Sequence, residues 1–155
     1  MAHLSDGLAA DLRSAIAAEA TAALRYTYFA QIAEVEGHTE IGQLFTELAE
    51  STRCVVHGHL DVLRDATAPG QRSDIGDTPL NVASAVVGAL QDAGELYPRL
   101  ATSAHAEGHA DVASWLTTLT ALKKRHTARF DMALTNLTGT SGTAPLPTPH
   151  GATDD

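Results

Sequence analysis

One short pattern occurs twice in this chain, and the distance between its copies constrains the architecture more than any other feature. Ala33-Glu34-Val35-Glu36-Gly37-His38 returns as Ala104-His105-Ala106-Glu107-Gly108-His109, with Glu36 falling on Glu107, 71 positions further on. The same offset brings Tyr26 onto Tyr97, Leu48 onto Leu119 and Leu63 onto Leu134. Each copy begins near the end of one expected helix and runs into another. The chain therefore reads as two duplicated helical hairpins, and a duplicated hairpin is a natural way to build an all-α, antiparallel four-helix bundle. A bundle aims its functional groups along inward seams, so absent residues count as much as present ones.

Length suits one domain, expected over residues 5–138, with residues 139–155 as a disordered tail of Thr, Gly, Pro and Ala. No apolar run approaches the ~18 residues needed to span a bilayer. The start, Met1-Ala2-His3-Leu4-Ser5-Asp6, lacks a basic region followed by an apolar stretch, so no secretory signal and no membrane partner are expected, and the default location is cytoplasmic. A single cysteine, Cys54, excludes an internal disulfide and any Cys-x-x-Cys metal module. The net charge of −9 argues against nucleic acid, which rewards clustered Lys and Arg. Lys123-Lys124-Arg125 is the one basic run, read mostly as a solvated helix face.

Periodicity places the helices. The first starts at Ser5 with Asp6 near its positive end, carries Leu12, Ile16, Ala20, Ala23, Tyr26 and Ala30 inward, and closes at Gly37. Thr39 opens the second, with Ile41, Phe45, Leu48, Val55 and Leu63 expected on its inner face. Residues 67–77 form the longest internal loop. Thr78-Pro79 reads as an N-cap followed by proline in the first turn of the third helix, which Pro98 should kink. The fourth follows Gly108 with Val112, Trp115, Leu119, Leu122 and His126 inward, Trp115 being read as core.

These segments resemble a known family. Glu19-Ala20-Thr21-Ala22-Ala23-Leu24-Arg25-Tyr26-Thr27-Tyr28-Phe29-Ala30 is similar to the first helix of rubrerythrins, in the ferritin-like superfamily, and Phe45-Thr46-Glu47-Leu48-Ala49-Glu50 to their second. Gly76-Asp77-Thr78, Asn81 and Tyr97-Pro98 resemble the third helix; Lys124-Arg125-His126 and Phe130 resemble the fourth. The resemblance covers about residues 10–135. The rubredoxin-like iron module of many rubrerythrins would need four cysteines.

The resemblance implies a diiron site built from a Glu, a Glu-x-x-His, a Glu-x-x-Glu and a second Glu-x-x-His. Residues three apart share a helix face, so each pair aims two donors at one point. Carried across, the first Glu is kept as Glu19. The second-helix pair becomes Thr52 and Val55, the third-helix pair Ala89 and Asp92, and the fourth-helix pair Lys123 and His126. Four of the seven ligand positions are thereby lost, and one becomes a cation. A protonated lysine has no lone pair to offer a metal and repels it. A degenerate site is therefore expected, with no metal cofactor.

In its place, Glu19, Asp92, Lys123 and His126 make a polar quartet suited to pairing buried charges and to acid–base catalysis. Around it, Tyr26, Thr52, Val55, His59, Ala89 and Tyr97 are expected to line a pocket for a small-molecule ligand or substrate, since Thr52, Val55 and Ala89 are smaller than the ligands they replace. A metal-independent ferritin-like enzyme is the leading expectation. One alternative is an atypical oxidoreductase reacting with peroxide or dioxygen at a single iron, manganese or zinc held by Glu19, Asp92 and His126. Another is a non-enzymatic interaction module with a vestigial site. A homodimer is expected from the rubrerythrin resemblance.

Other candidates weigh less. Cys54 and His57 read as surface or interface residues, and His105 and His109 as turn residues separated by a helix-ending Gly108. No Gly-rich phosphate loop or nucleophile elbow is present.

Overall fold

A computed structural model describes residues 3–66 and 75–140, apart from the side chain of Thr140. Its helices are α1 (Asp6–Val35), α2 (Thr39–Ala66), α3 (Thr78–Gln91), a π-helical turn (Asp92–Leu96), α4 (Tyr97–Ala106) and α5 (Ala110–Thr140). They form two compact units, α1 with α2 and α3–α4 with α5, each a helical hairpin. No helix among the described residues is long and apolar enough to cross a membrane.

The repeated hexapeptide builds the same turn twice. Gly37 and Gly108 both adopt φ +85°, a conformation that costs an L side chain strain. His38 N–H donates to the Ala33 carbonyl and His109 N–H to that of Ala104, both at 2.8 Å. Gly37 N–H to Glu34 and Gly108 N–H to His105 follow at 3.1 Å. Each is a Schellman closure, satisfying the last carbonyls of one helix before the next begins.

In the first hairpin the less exposed residues alternate three and four apart, as in a coiled-coil seam. On α1 they are Ala9, Leu12, Ile16, Glu19, Ala23, Tyr26, Ala30 and Ala33; on α2 they are Gly42, Phe45, Ala49, Thr52, Val56, His59, Leu63 and Ala66. Small residues let the helices approach: a Cβ on Gly42 would lie 3.3 Å from the Ala30 carbonyl oxygen. Tyr26 and Phe29 pack on Phe45, with centroids 6.0 and 5.5 Å apart.

The α2 seam keeps Phe45 and Leu63 where the sequence placed them but departs by one residue at the other three positions. Ile41, Leu48 and Val55 are exposed, and Gly42, Ala49 and Val56 are buried instead. The reason is that α2 carries two apolar rows. The row just before the seam reads Ile41, Leu48, Val55 and Val62, and its counterpart on α1 reads Leu8, Ala15, Ala22 and Phe29. The rows on the opposite flank read Arg13, Ala20, Thr27 and Glu34 on α1 and Thr46, Arg53 and Leu60 on α2. One flank of the hairpin is therefore apolar and the other mixed, with most of the polar groups. On α5, Leu119, Leu122 and His126 are half-buried, whereas Leu116 is buried and Trp115 is 61% exposed, so Trp115 is not core.

Pro98 does not break the third helix. Proline lacks an N–H and collides with the carbonyl four residues back in an α-helix. Here the preceding turn widens to π geometry, with Tyr97 N–H bonded to the Asp92 carbonyl. The widening inserts one residue into the seam, which runs Val82, Val86, Ala89, Ala93 and then Tyr97, Ala101 and Ala104. The N-cap of α3 is Asp77 rather than Thr78, its carboxylate accepting from Leu80 N–H at 3.1 Å. Asn81 reinforces the cap by exchanging two 2.8 Å hydrogen bonds with the Gly76 backbone. Gly139 and Thr140, expected in the tail, belong to α5; residues 141–155 lie outside the described residues, as does most of the expected 67–77 loop.

Candidate functional site

The second hairpin brings three of the expected residues together. Lys123, on the α5 seam, extends its Nζ to Asp92 Oδ2 at 2.8 Å, with the side chains 28% and 31% exposed. Asp92 is the first residue of the π turn, so the widened turn that accommodates Pro98 also sets this carboxylate's position. The Lys123 Nζ lies 5.9 Å from the centroid of the Tyr97 ring, a weak cation–π contact.

Lys123 is held above the usual lysine pKa. The hydrogen bond to Asp92 is the main cause; burial opposes it, and the charge of Asp92 adds to it. Lys123 is therefore a fixed cation at neutral pH. One turn on, His126 is half-buried and, with Arg129, Phe130 and Ala133, lines a cavity of about 410 Å³. Ala89 is buried on the α3 seam. Thr127 is buried as well, its hydroxyl donating to the Lys123 carbonyl at 3.1 Å.

The first hairpin holds the remaining candidates. Glu19 and Thr52 are half-buried on facing seams. The register set by Tyr26 against Phe45 brings them to the same level. Glu19 has no ion pair within its hairpin among the described residues: Arg53 pairs with Glu50, and Arg25 stacks over Phe29 at 5.3 Å. His59 is half-buried on the α2 seam, Val55 is on the exposed apolar row, and Cys54 and His57 are exposed. Sequence reasoning missed a second groove of about 500 Å³, lined by Ala23, Leu24, Thr27, Thr46, Ala49, Glu50 and Arg53, although Thr27, Thr46 and Arg53 at helical spacing marked its polar side.

The order of helices, the duplicated turns and the positions of Glu19, Asp92 and His126 invite comparison with known proteins. The rubrerythrin family model matches residues 11–134. The chain belongs to the rubrerythrin family. Among curated rubrerythrins, it is 30% identical over 137 residues to Rubrerythrin-1 of Clostridium acetobutylicum, covering 83% of this chain and 70% of that protein. It is 30% identical over 123 residues to the rubrerythrin of Porphyromonas gingivalis, covering 77% of this chain and 62% of that protein. The rubrerythrin of Clostridium perfringens matches at 30% over 131 residues, 79% of this chain and 67% of that protein.

At the positions to which the rubrerythrin resemblance assigns the diiron ligands, the chain carries a different donor set. Thr52, Val55 and Ala89 supply no carboxylate or imidazole, and Lys123 places an ammonium beside the one carboxylate of its hairpin's ligand set. Two divalent ions need several anionic ligands to offset their charge in a bundle core.

Proposed function

We propose that this rubrerythrin-family chain works without a diiron cluster and uses the polar centre of its bundle to bind or transform a small molecule. The Lys123–Asp92 ion pair supports this reading most directly, because an ammonium stands where a ligand carboxylate is expected and engages the neighbouring carboxylate. Lys123 supplies a fixed positive charge for an anionic group of the ligand. His126, which both donates and accepts through its imidazole, is the proton-transfer residue, with Glu19 as its acidic counterpart. Tyr97 packs beside the cation, and Tyr26 belongs to the corresponding position of the first hairpin.

A second reading rests on the family itself: a metal-dependent oxidoreductase reacting with peroxide or dioxygen. Membership of the rubrerythrins favours it, as does the survival of Glu19, Asp92 and His126. A melting-temperature screen against small carboxylates and phosphates separates the readings, since a ligand that binds only the folded state raises the midpoint. The first reading expects stabilisation by an organic anion that Lys123→Gln abolishes. Stabilisation by iron, manganese or zinc alone, lost in His126→Ala, would replace it with the second.

A further inference from the structure

One stretch of α5 is positive in a chain that is otherwise acidic. The full sequence has a net charge of −9, yet α5 holds Lys123, Lys124, Arg125, His126 and Arg129 with no carboxylate between Asp111 and Asp131. The helix packed against it adds none, since α3 (Thr78–Gln91) contains no Asp or Glu. The acids at the two ends of α3 are committed, Asp77 to the helix cap and Asp92 to Lys123.

Arg129 stands apart from the other cations of this stretch. It lines the cavity of about 410 Å³ with His126, Phe130 and Ala133, and no carboxylate pairs with it among the described residues. Asp131 is close in sequence, but residues two apart on a helix do not face each other. Arg53 also lines a groove, yet Glu50 already occupies its guanidinium. The free fork of Arg129 matches both oxygens of a carboxylate at once.

The neighbouring lysine sets the spacing. Lys123, His126 and Arg129 follow at intervals of three, which places the imidazole between two cations on the surface of α5. Six residues of helix separate those cations by about 9 Å along the axis. Lys123 gives one ammonium donor to Asp92 and keeps two for another acceptor. Phe130 and Ala133 supply an apolar wall, which suits hydrocarbon beside the charges.

We propose, on the basis of the small-molecule function proposed for this centre, that its ligand is an organic dicarboxylate. Lys123 holds one carboxylate, Arg129 holds the other, and His126 stands beside the carbon chain. Arg129 thereby selects two anionic ends over one. Being exposed, it holds little alone; anchoring the first carboxylate at Lys123 makes its contact intramolecular.

Titration calorimetry on the native full chain tests this at constant ionic strength, with succinate, adipate and suberate beside butyrate, hexanoate and octanoate. A dicarboxylate of fitting length should bind about fivefold more tightly than its monocarboxylate partner. Arg129→Gln should erase that gap and leave monocarboxylate binding unchanged, whereas Lys123→Gln should abolish monocarboxylate binding. Arg125→Gln, which removes a cation outside the cavity lining, should leave the gap intact. Should Arg129→Gln fail to fold by circular dichroism, Arg129→Lys, which keeps the charge and loses the fork, should narrow the gap. Equal binding of both classes through Lys123 overturns the proposal and leaves the small-molecule reading standing. So does a gap that survives the Arg129 variant or falls equally in Arg125→Gln. Binding of none of the six acids also overturns the proposal, and affinities untouched by Lys123→Gln overturn both it and the anion-binding role of Lys123.

Discussion

Lys123 and Asp92 meet at 2.8 Å across the second hairpin, where the rubrerythrin pattern calls for two metal-binding carboxylates. The ammonium satisfies the remaining carboxylate directly. The pair also explains why the π turn and Lys123 belong together: the turn fixes Asp92, and Lys123 extends from the facing seam to reach it.

Removing the cation should cost modest stability with a distinctive pH dependence. Lys123→Met is expected to lose at most about 1 kcal/mol, since the pair is only partly shielded from water. The folded-state pKa of Lys123 is raised, so its contribution is fully present below the ordinary lysine value and is lost as pH climbs through the higher folded value. Urea unfolding of both proteins should show a constant gap from neutral pH up to the ordinary lysine range, closing above it.

Reversing the charge should recover metal affinity. Lys123→Glu places a carboxylate three residues before His126 and frees Asp92, which restores a Glu-x-x-His pair beside an acidic residue. Equilibrium dialysis with manganese or zinc should show uptake by this variant and little by the native chain. Equal uptake by both would mean that the ammonium is no barrier.

The two hexapeptide turns should respond alike. Gly37→Ala and Gly108→Ala each force an L side chain to φ +85° and should cost about 1 kcal/mol apiece. Thermal unfolding that shows a large loss in one and none in the other would contradict their equivalence.

Two helical glycines of α2 should respond in opposite directions. Gly58 has open space around its Cβ direction, so Gly58→Ala should gain about 0.5–1 kcal/mol from helix propensity. At Gly42 the new Cβ would meet Glu34 Cγ at 3.0 Å and the Ala30 carbonyl at 3.3 Å. Gly42→Ala should therefore be neutral or destabilising, as read by melting temperature.

Much of the fold was legible because duplication repeats its own punctuation. Ser5 caps α1, and Gly37 and Gly108 close their helices where the sequence placed them. The seams were harder. Leu48 and Trp115 look like core by hydropathy, yet Ala49 and Leu116 face the hairpin partner, because two adjacent apolar rows give hydropathy no way to rank them. Pro98 signalled an irregularity, but the local pattern could not distinguish a kink from a widened turn. At the site, spacing pointed to Lys123 and Asp92 separately, while their pairing needed the register of the facing helices.

Metal stoichiometry tests the central claim most directly. The chain should be expressed with iron, manganese and zinc supplied, purified without chelator, and its metal measured by mass spectrometry beside Lys123→Glu. The account predicts a folded native protein with far less than one tightly bound ion per chain, and more metal in the variant. About two ions per native chain would contradict it, restoring an ordinary diiron rubrerythrin built from substitute ligands.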